Sequence, residues 1–188
     1  MTFLEKNLED IVYDTSQYLV FSRGLDCYEF DIKLRQLNLG AYGIADIVTA
    51  AVSINNNTGR TQILISVYEL KKDAVDMAAF LQGARYVRGI QHYLSHHDLS
   101  NVDISYRIIL IGSSTSLSCE VGYFPHIFSN LYIYSYSYEW NGIWFSRNDN
   151  IQIIDPGFSS VHSETARVLS KKIATILSGM CSFEPSVK

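Results

Sequence analysis

We predict an α/β fold in which helices cover the faces of a mixed β-sheet, and three patterns support this prediction. Residues 28–35 alternate apolar and polar side chains, which is typical of an antiparallel strand with one face in solvent. The run ILISVY at residues 63–68 is nearly all apolar, as expected for a strand buried on both faces. A helical segment and another strand follow within roughly 30 residues, and this order predicts a right-handed crossover between two parallel strands.

The first half of the chain supplies one helix and three strands. The helix is predicted from Thr2 to about Leu19, because apolar residues recur there at helical spacing and Thr2 with Glu5 matches a capping box. Turn signals rich in Asn and Gly separate the strands at residues 38–43 and 55–60. The predicted strands are Tyr28–Arg35, Ile44–Ile54 and Gln62–Leu70.

The rest of the chain alternates helices and strands. Asp73 is predicted to cap a helix that extends to about Leu94. Its expected buried stripe is formed by Phe80, Ala84, Val87 and Leu94. The strands that follow are predicted at Ile104–Ile111, Leu131–Tyr138, Ile143–Phe145 and Asn150–Ile154, with a tight turn at Asn141-Gly142 and a final helix at Val161–Leu177.

One side of the strand at residues 131–138 carries tyrosines at every second position: Tyr132, Tyr134, Tyr136 and Tyr138. Such a face can stack nucleic-acid bases. A half-buried strand face or a dimer surface is the simpler interpretation, because aromatic rings are large apolar groups.

Composition limits the functional classes. The 188 residues fit one domain at 1–188, and the net charge of −4 argues against a basic nucleic-acid coat protein. The three cysteines are widely spaced and form neither a zinc motif nor a disulfide framework, so we expect a reduced, cytoplasmic setting. The sequence shows no signal peptide and no membrane span, and it contains no GxSxG, Walker A, GxGxxG or zinc-deaminase motif.

The predicted β-hairpin brings charged residues together at one edge of the sheet. Glu69 and Lys71 lie two apart and therefore point to the same side of their strand, and Asp46 is expected opposite Glu69. Two carboxylates at this spacing suit a hard cation such as Mg²⁺ or Mn²⁺. A lysine beside them can orient a water molecule and offset charge on a phosphate. On the following helix, Gln82 and Tyr86 share one face and can converge on the same place.

The pattern Glu5…Gly43-x-x-Asp46…Glu69-x-Lys71…Gln82-x-x-x-Tyr86 resembles the PD-(D/E)XK nuclease superfamily, most closely its RecB-like and mismatch-endonuclease branches. The resemblance covers roughly residues 1–112, and it implies a restriction-endonuclease-like α-β-β-β-α-β core. Residues 113–188 show no resemblance to a known family. They are expected to elaborate the same domain with a β-hairpin and a helix. The position before the aspartate holds Ala45 where the family name has proline.

The resemblance implies metal-dependent hydrolysis of phosphodiesters, with DNA as the expected substrate, RNA as the alternative and a homodimer as one expected form. It implies that a Mg²⁺ or Mn²⁺ ion is held by carboxylates and a backbone carbonyl, namely Asp46, Glu69, Glu5 and the carbonyl of Leu70. Lys71 would orient the attacking water, and Gln82 and Tyr86 would support it.

Two alternatives remain open at this point. Glu9 competes with Glu5 as the carboxylate of the first helix, because Glu5 also suits the capping box. A nuclease fold without activity, serving as a binding or interaction module, is the rival to an active enzyme, because a fold alone does not establish function.

Overall fold

In the computed structural model, residues 4–55, 58–115, 120–148 and 164–180 are described. Four α-helices lie in this part of the chain: α1 (Glu5–Asp14), α2 (Gln17–Ser22), α3 (Met77–Leu94) and α4 (Glu164–Gly179). Its strands are β1 (Ile32–Asn38), β2 (Ile44–Ile54), β3 (Thr61–Leu70), β4 (Ala74–Val75), β5 (Val102–Gly112), β6 (Ser114–Thr115), β7 (Leu131–Glu139) and β8 (Gly142–Arg147).

Six strands form a mixed sheet in the order β1-β2-β3-β5-β7-β8. The β1–β2 and β2–β3 pairs are antiparallel, the β3–β5 and β5–β7 pairs are parallel, and β8 closes the sheet antiparallel to β7. The helix α3 connects β3 to β5, since parallel neighbours need a long crossover. The predicted α/β class, mixed sheet and parallel strand pair are therefore confirmed.

Helices cover both faces of the sheet. On one face, the apolar side chains of α3 and α4 pack over β1, β2 and β3 in a core that includes Ile90 and Leu177. On the other face, α1 and α2 pack over β2, β3, β5, β7 and β8, with Leu8 and Val12 at the centre. Side chains of β3 contribute to both cores because they alternate between the faces, which explains the uninterrupted apolar run.

The N-terminal helix differs from its prediction. It is divided into α1 and α2, because Thr15 and Ser16 are extended and the Ser16 side chain accepts a hydrogen bond from the Leu19 amide. The α1 helix begins at Glu5, and the amide of Leu4 donates to Asn7 Oδ1 at 2.9 Å. Glu5 therefore occupies the first helical position and is not the third-position partner of a Thr2 cap.

The α3 helix also begins later than predicted. Residues 74–75 form β4, which pairs with β6, and Asp76 rather than Asp73 caps the helix by accepting from the Ala79 amide at 2.9 Å. The buried stripe also differs from the predicted one and is formed by small, aromatic and aliphatic residues: Ala79, Gly83, Tyr86, Gly89, Ile90, Tyr93 and Leu94. Of the predicted stripe, Leu94 is buried, and Phe80, Ala84 and Val87 are half-buried.

The β1 strand begins four residues later than predicted and extends to Asn38, whereas β2 has the predicted bounds. In the C-terminal part, the tyrosine face lies in the core over most of its length: Tyr132, Tyr134 and Tyr136 are buried, and Tyr138 is 49% exposed. The turn of the last hairpin consists of Trp140 and Asn141, one residue before the predicted position, and Gly142 follows with φ +126°.

The predicted strand at Asn150–Ile154 and the predicted first residues of α4 lie outside the described residues. Where described, α4 packs on β1 and β2 through Ile173 and Leu177. Within the described ranges, every helix is too short or too polar to cross a membrane.

Candidate active site

Asp46 and Glu69 meet where β2 begins and β3 ends. Ile47 pairs with Tyr68 across the two antiparallel strands, so the next position along each strand brings Asp46 opposite Glu69. Asp46 Oδ2 accepts a hydrogen bond from the amide of Leu70 at 2.9 Å, which holds its carboxylate against the end of β3. Glu69 is only 2% exposed, whereas Asp46 is half-buried.

Lys71 connects this carboxylate pair to α3. Its Nζ atom lies 2.7 Å from Glu69 Oε1 and donates to Gln82 Oε1 at 3.0 Å. Gln82 Nε2 in turn lies 3.3 Å from the hydroxyl of Tyr86. Gln82 and Tyr86 share a face because they are four residues apart on α3. The chain of contacts fixes the position of the ammonium group beside Glu69.

A close backbone approach fixes Tyr86. Gly43, just before β2, has φ +102°, and a Cβ atom there would lie 3.0 Å from Cε1 of Tyr86 and 3.3 Å from Nη2 of Arg85. Glycine is thus required at Gly43 for both its backbone conformation and the space that the tyrosine ring occupies.

Burial and nearby negative charges weaken the acidity of both carboxyls. Burial, together with the charges of Glu9 and Glu5, raises the pKa of Asp46 to about 6, although the hydrogen bond from the Leu70 amide and the charge of Lys71 oppose the shift. Burial, then the charge of Asp46, raises the pKa of Glu69 to about 7, although Lys71 opposes the shift. Burial tends to lower the pKa of Lys71, but the hydrogen bond and charge of Glu69 outweigh it, so the pKa is raised.

One carboxylate oxygen at this edge has no hydrogen-bond partner. Glu69 Oε2 is buried and accepts no hydrogen bond from the described residues, whereas Oε1 is held by Lys71. A buried acceptor without a donor is costly, and a cation beside Asp46 would satisfy it and relieve the repulsion between the acids. The two carboxylates offer only oxygen atoms as ligands, and oxygen ligands suit Mg²⁺ or Mn²⁺.

Among the described residues, no group of three or more His, Cys, Asp or Glu side chains could hold a metal ion, so the carboxylates of the candidate site are the pair Asp46 and Glu69. Leu70 contacts the site through its amide, which donates to Asp46. The expected role of its carbonyl as a metal ligand stays a prediction.

The two candidate carboxylates of α1 have different partners. Glu5 Oε2 accepts from the backbone amide of Lys72 at 3.3 Å, directly after Lys71. Glu9 is 8% exposed, and its Oε1 atom lies 2.6 Å from Arg35 Nε and 2.9 Å from Gln36 Nε2. Glu9 thus forms an ion pair with Arg35, while Glu5 accepts from an uncharged backbone amide. Which of them serves Asp46 stays a prediction.

An open groove of about 940 Å³ leads to Asp46 between α1 and the end of β1. Its lining is mostly charged: Glu5, Lys6, Glu9, Asp10, Asp14, Arg35, Gln36 and Asp46. The sequence patterns do not identify Arg35 and Gln36 as residues of this groove. The acidic face of α1 predicts a cationic partner, but no local pattern identifies that partner as Arg35, 26 residues from Glu9 along the chain.

Gln36 has an unusual backbone. Its φ of +50° is the one positive value at a non-glycine residue in the described part of the chain. The ladder between β1 and β2 pairs Arg35 with Ile47 and Leu37 with Ala45 but omits Gln36 and Asp46 between them. Asp46 therefore lies at an interruption of the sheet, which opens its side chain to the groove.

No protein-family model and no curated protein matches the chain. A solved structure that is similar to it is described as the crystal structure of a repair endonuclease from Pyrococcus abyssi, with 18% sequence identity and a TM-score of 0.34. The match covers 71% of this chain and 47% of that chain, so this chain spans about half the length of that protein. A likeness of this degree carries no argument about function.

Proposed function

We propose that the chain is a metal-dependent nuclease that hydrolyses phosphodiester bonds in DNA. The observation that carries the proposal is the environment of Glu69, whose buried carboxylate lies next to Asp46. One of its oxygens is held by Lys71, and the other has no hydrogen-bond partner in the part of the chain that the structure describes. Such an arrangement costs stability unless a cation is bound, and strained or unsatisfied groups of this kind concentrate at functional sites.

Each side chain has a distinct role in the proposal. Asp46 and Glu69 would hold Mg²⁺ or Mn²⁺, and such an ion supplies Lewis-acid activation of water and neutralisation of phosphate charge. Lys71 orients the attacking water and places a positive charge where negative charge develops on the phosphate. Gln82 holds the Lys71 ammonium in place and is itself held by Tyr86.

The surroundings of the site suit a charged, extended ligand. The groove reaches Asp46 from the solvent, and Lys72 and Arg85, both exposed, lie beside the site residues. Glu5 and Glu9 make the groove acidic near Asp46, so binding of phosphate is expected to depend on a bound cation.

Cleavage of a nucleic-acid panel in Mn²⁺ and in chelator tests the proposal. The panel contains supercoiled plasmid, single-stranded, flap, mismatched and four-way DNA, together with RNA. We expect cleavage that needs the metal and that falls about 100-fold or more in both variants. Lys71→Ala removes a charge that acts in the transition state, and Asp46→Ala removes a proposed metal ligand. Asp103→Ala is the matched control, since Asp103 is an exposed carboxylate at the opposite end of the sheet.

A readout without substrate completes the test. Mn²⁺ is expected to raise the thermal midpoint of the wild-type protein but not of Asp46→Ala, because a ligand that binds the folded state stabilises it. Absence of cleavage on every substrate, with folded variants and no effect of metal on stability, would reject the enzyme and favour a non-catalytic interaction module on the same fold.

A further inference from the structure

The β7–β8 hairpin extends past the edge of the sheet that carries the candidate site. Pairing between β5 and β7 ends at Gly112 and Ser135, whereas pairing between β7 and β8 continues to Glu139 and Gly142. Because β3, β5 and β7 are parallel, residues 136–139 project beyond the same edge at which β3 ends. At ~3.3 Å per residue the projection is about 13 Å.

A fully exposed tryptophan lies at the tip of this hairpin. Trp140 is 97% exposed, and Tyr138 beside it is 49% exposed. Two-residue turns favour Gly, Asn and Asp, which suit the backbone of a turn, and a tryptophan there adds no packing to the fold. Its large planar surface is therefore available to a ligand.

Contacts with the N-terminal region hold the hairpin rigid. The Arg23 guanidinium donates to the carbonyl of Asn141 at 3.1 Å, and the amide of Phe145 donates to the carbonyl of Arg23 at 2.8 Å. A Cβ atom at Gly142 would lie 2.7 Å from Nη1 of Arg23, so this guanidinium packs directly against the tip. Trp140 is thus presented on a fixed support with a positive charge next to it.

The base of the hairpin is connected to the candidate site. The hydroxyl of Tyr136 donates to the carbonyl of Lys72 at 2.7 Å, and Lys72 directly follows Lys71. The distance from the site to the tip is therefore set by hydrogen bonds and by the strand pairing. From Tyr134, which lies level with Leu70 across β5, the tip is six residues further along β7, or about 20 Å.

We infer that Trp140 stacks on an unpaired base of a nucleic-acid strand whose backbone enters the site at Glu69 and Lys71. This inference rests on the proposed nuclease function and narrows its substrate to nucleic acid with a single-stranded segment. Aromatic rings stack on bases irrespective of sequence, and a nearby cation accompanies them by contacting phosphate, as Arg23 is placed to do. Bases inside an intact duplex are not accessible to such a ring.

Fluorescence offers a direct test, because the chain has only two tryptophans. In Trp144→Phe, Trp140 is the remaining tryptophan, whose fluorescence can be excited selectively over that of the 13 tyrosines. This variant is titrated with a single-stranded oligothymidylate of about 16 nucleotides and with a blunt duplex of the same length, in Ca²⁺ to occupy oxygen-ligand sites. We expect the single strand to quench Trp140 and the duplex to leave it unchanged.

Substitutions at the tip test the contribution to binding. Trp140→Ala is expected to weaken single-strand binding about tenfold, and Trp140→Phe to retain most of it, since phenylalanine also stacks. Tyr123→Ala is the matched control, because Tyr123 is a 68% exposed aromatic residue on a different part of the surface.

The outcomes separate this inference from the proposed function. If the wild type cleaves DNA and Trp140→Ala binds and cleaves equally well without quenching in Trp144→Phe, the inference is overturned and the nuclease remains. Quenching by single strands without cleavage in Mn²⁺ would reject the nuclease and retain the stacking surface. Protein association without nucleic acid, abolished by Trp140→Ala, would assign the tip to a second copy of the chain and overturn the inference.

Discussion

Glu69 shows how a single buried residue links stability to chemistry. It is 2% exposed, has one oxygen paired with Lys71, and faces the charge of Asp46. A buried ion pair gains little net stability unless further hydrogen bonds satisfy its atoms, and Glu69 Oε2 lacks one within the described structure. The residue therefore costs stability in the metal-free protein, and bound cation is expected to recover that cost.

Gln82→Ala tests whether the hydrogen bond to Gln82 positions the ammonium group of Lys71. The substitution removes the Gln82 acceptor 3.0 Å from Nζ, while Glu69 stays in place. We expect kcat for DNA cleavage to fall about tenfold with KM little changed, because one hydrogen bond of ~1–1.5 kcal/mol positions the group that acts in the transition state. Gln91→Ala, on the same helix, is the control. A KM effect alone would indicate a substrate contact instead.

Gly43→Ala tests the close approach to Tyr86. The new Cβ would lie 3.0 Å from the ring, in addition to the strain at φ +102°. Gly59→Ala is the matched control, since Gly59 also has positive φ, +66°, but no atom within 4 Å of a Cβ. We expect Gly59→Ala to destabilise by ~1–2 kcal/mol from backbone strain. Gly43→Ala should lose more in urea unfolding, because φ +102° with ψ −160° is essentially restricted to glycine and the new Cβ also meets the ring. An equal loss of unfolding free energy in Gly43→Ala and Gly59→Ala would show that the Tyr86 ring moves aside freely.

At the scale of elements, the residue at which a helix begins depends on tertiary contacts, because more than one nearby residue can match the local N-cap pattern. Asp73 and Asp76 both precede an apolar periodic segment, and either is a good N-cap by residue type. The short pairing of β4 with β6 requires extended backbone at residues 74–75, so the helix starts only after it. The tertiary pairing therefore selects Asp76.

Comparing the stability of Asp76→Ala with that of Asp73→Ala tests which aspartate caps α3. Loss of the bond from the Ala79 amide is expected to cost ~1 kcal/mol, because an alanine N-cap leaves a helix donor without a partner. Asp73→Ala is expected to change the urea midpoint by less than half as much, since Asp73 is exposed and lies before β4. The reverse order of effects would show that α3 starts at Asp73 in solution.

At the scale of the whole molecule, the site joins distant segments on both faces of the sheet. The α1 helix provides Glu5 and Glu9 from one face, α3 provides Gln82 and Tyr86 from the other, and the acids and lysine lie at the sheet edge between them. Global unfolding therefore separates all of these groups, and their ionisation is coupled to the free energy of unfolding.

The pH dependence of stability has a definite sign. The pKa of Glu69 is raised from 4.5 to about 7 by folding, and that of Asp46 from 3.8 to about 6. Between about pH 4 and about pH 7 the two carboxyls are ionised in the unfolded chain but still protonated in the folded protein. The free energy of unfolding of the metal-free protein should therefore fall as pH rises from about 4 to about 7. The expected loss over both groups is of order 6 kcal/mol, because each pKa unit between the folded and unfolded states corresponds to ~1.4 kcal/mol.

Urea unfolding in chelator across this range measures the effect. Glu69→Gln should flatten the decline, because the side chain no longer ionises, whereas Glu139→Gln, at an exposed position, should leave it unchanged. Mn²⁺ should reverse the trend, since ionised carboxylates bind it better as pH rises. Stability that rises with pH in the metal-free protein would contradict the assigned pKa directions.

The sequence by itself determined the fold class, the bounds of β2 and most of β3, and the grouping of charged residues at one strand end. These features depend on periodicity over a few residues, because alternation sets strand faces and a spacing of four sets helix faces. It therefore predicted that Gln82 and Tyr86 share a face, whereas the catalytic roles of the candidate residues stay predictions.

Only the tertiary structure decided which partners each group meets. It paired Glu9 with Arg35, divided the first helix, placed Tyr132, Tyr134 and Tyr136 in the core, and left Glu69 Oε2 without a donor among the described residues. It also directed the β7–β8 hairpin past the edge at which β3 ends, with Trp140 at its tip. The physical reason is that lateral strand order and contacts between distant segments arise from packing of the whole chain, and no short-range pattern encodes them.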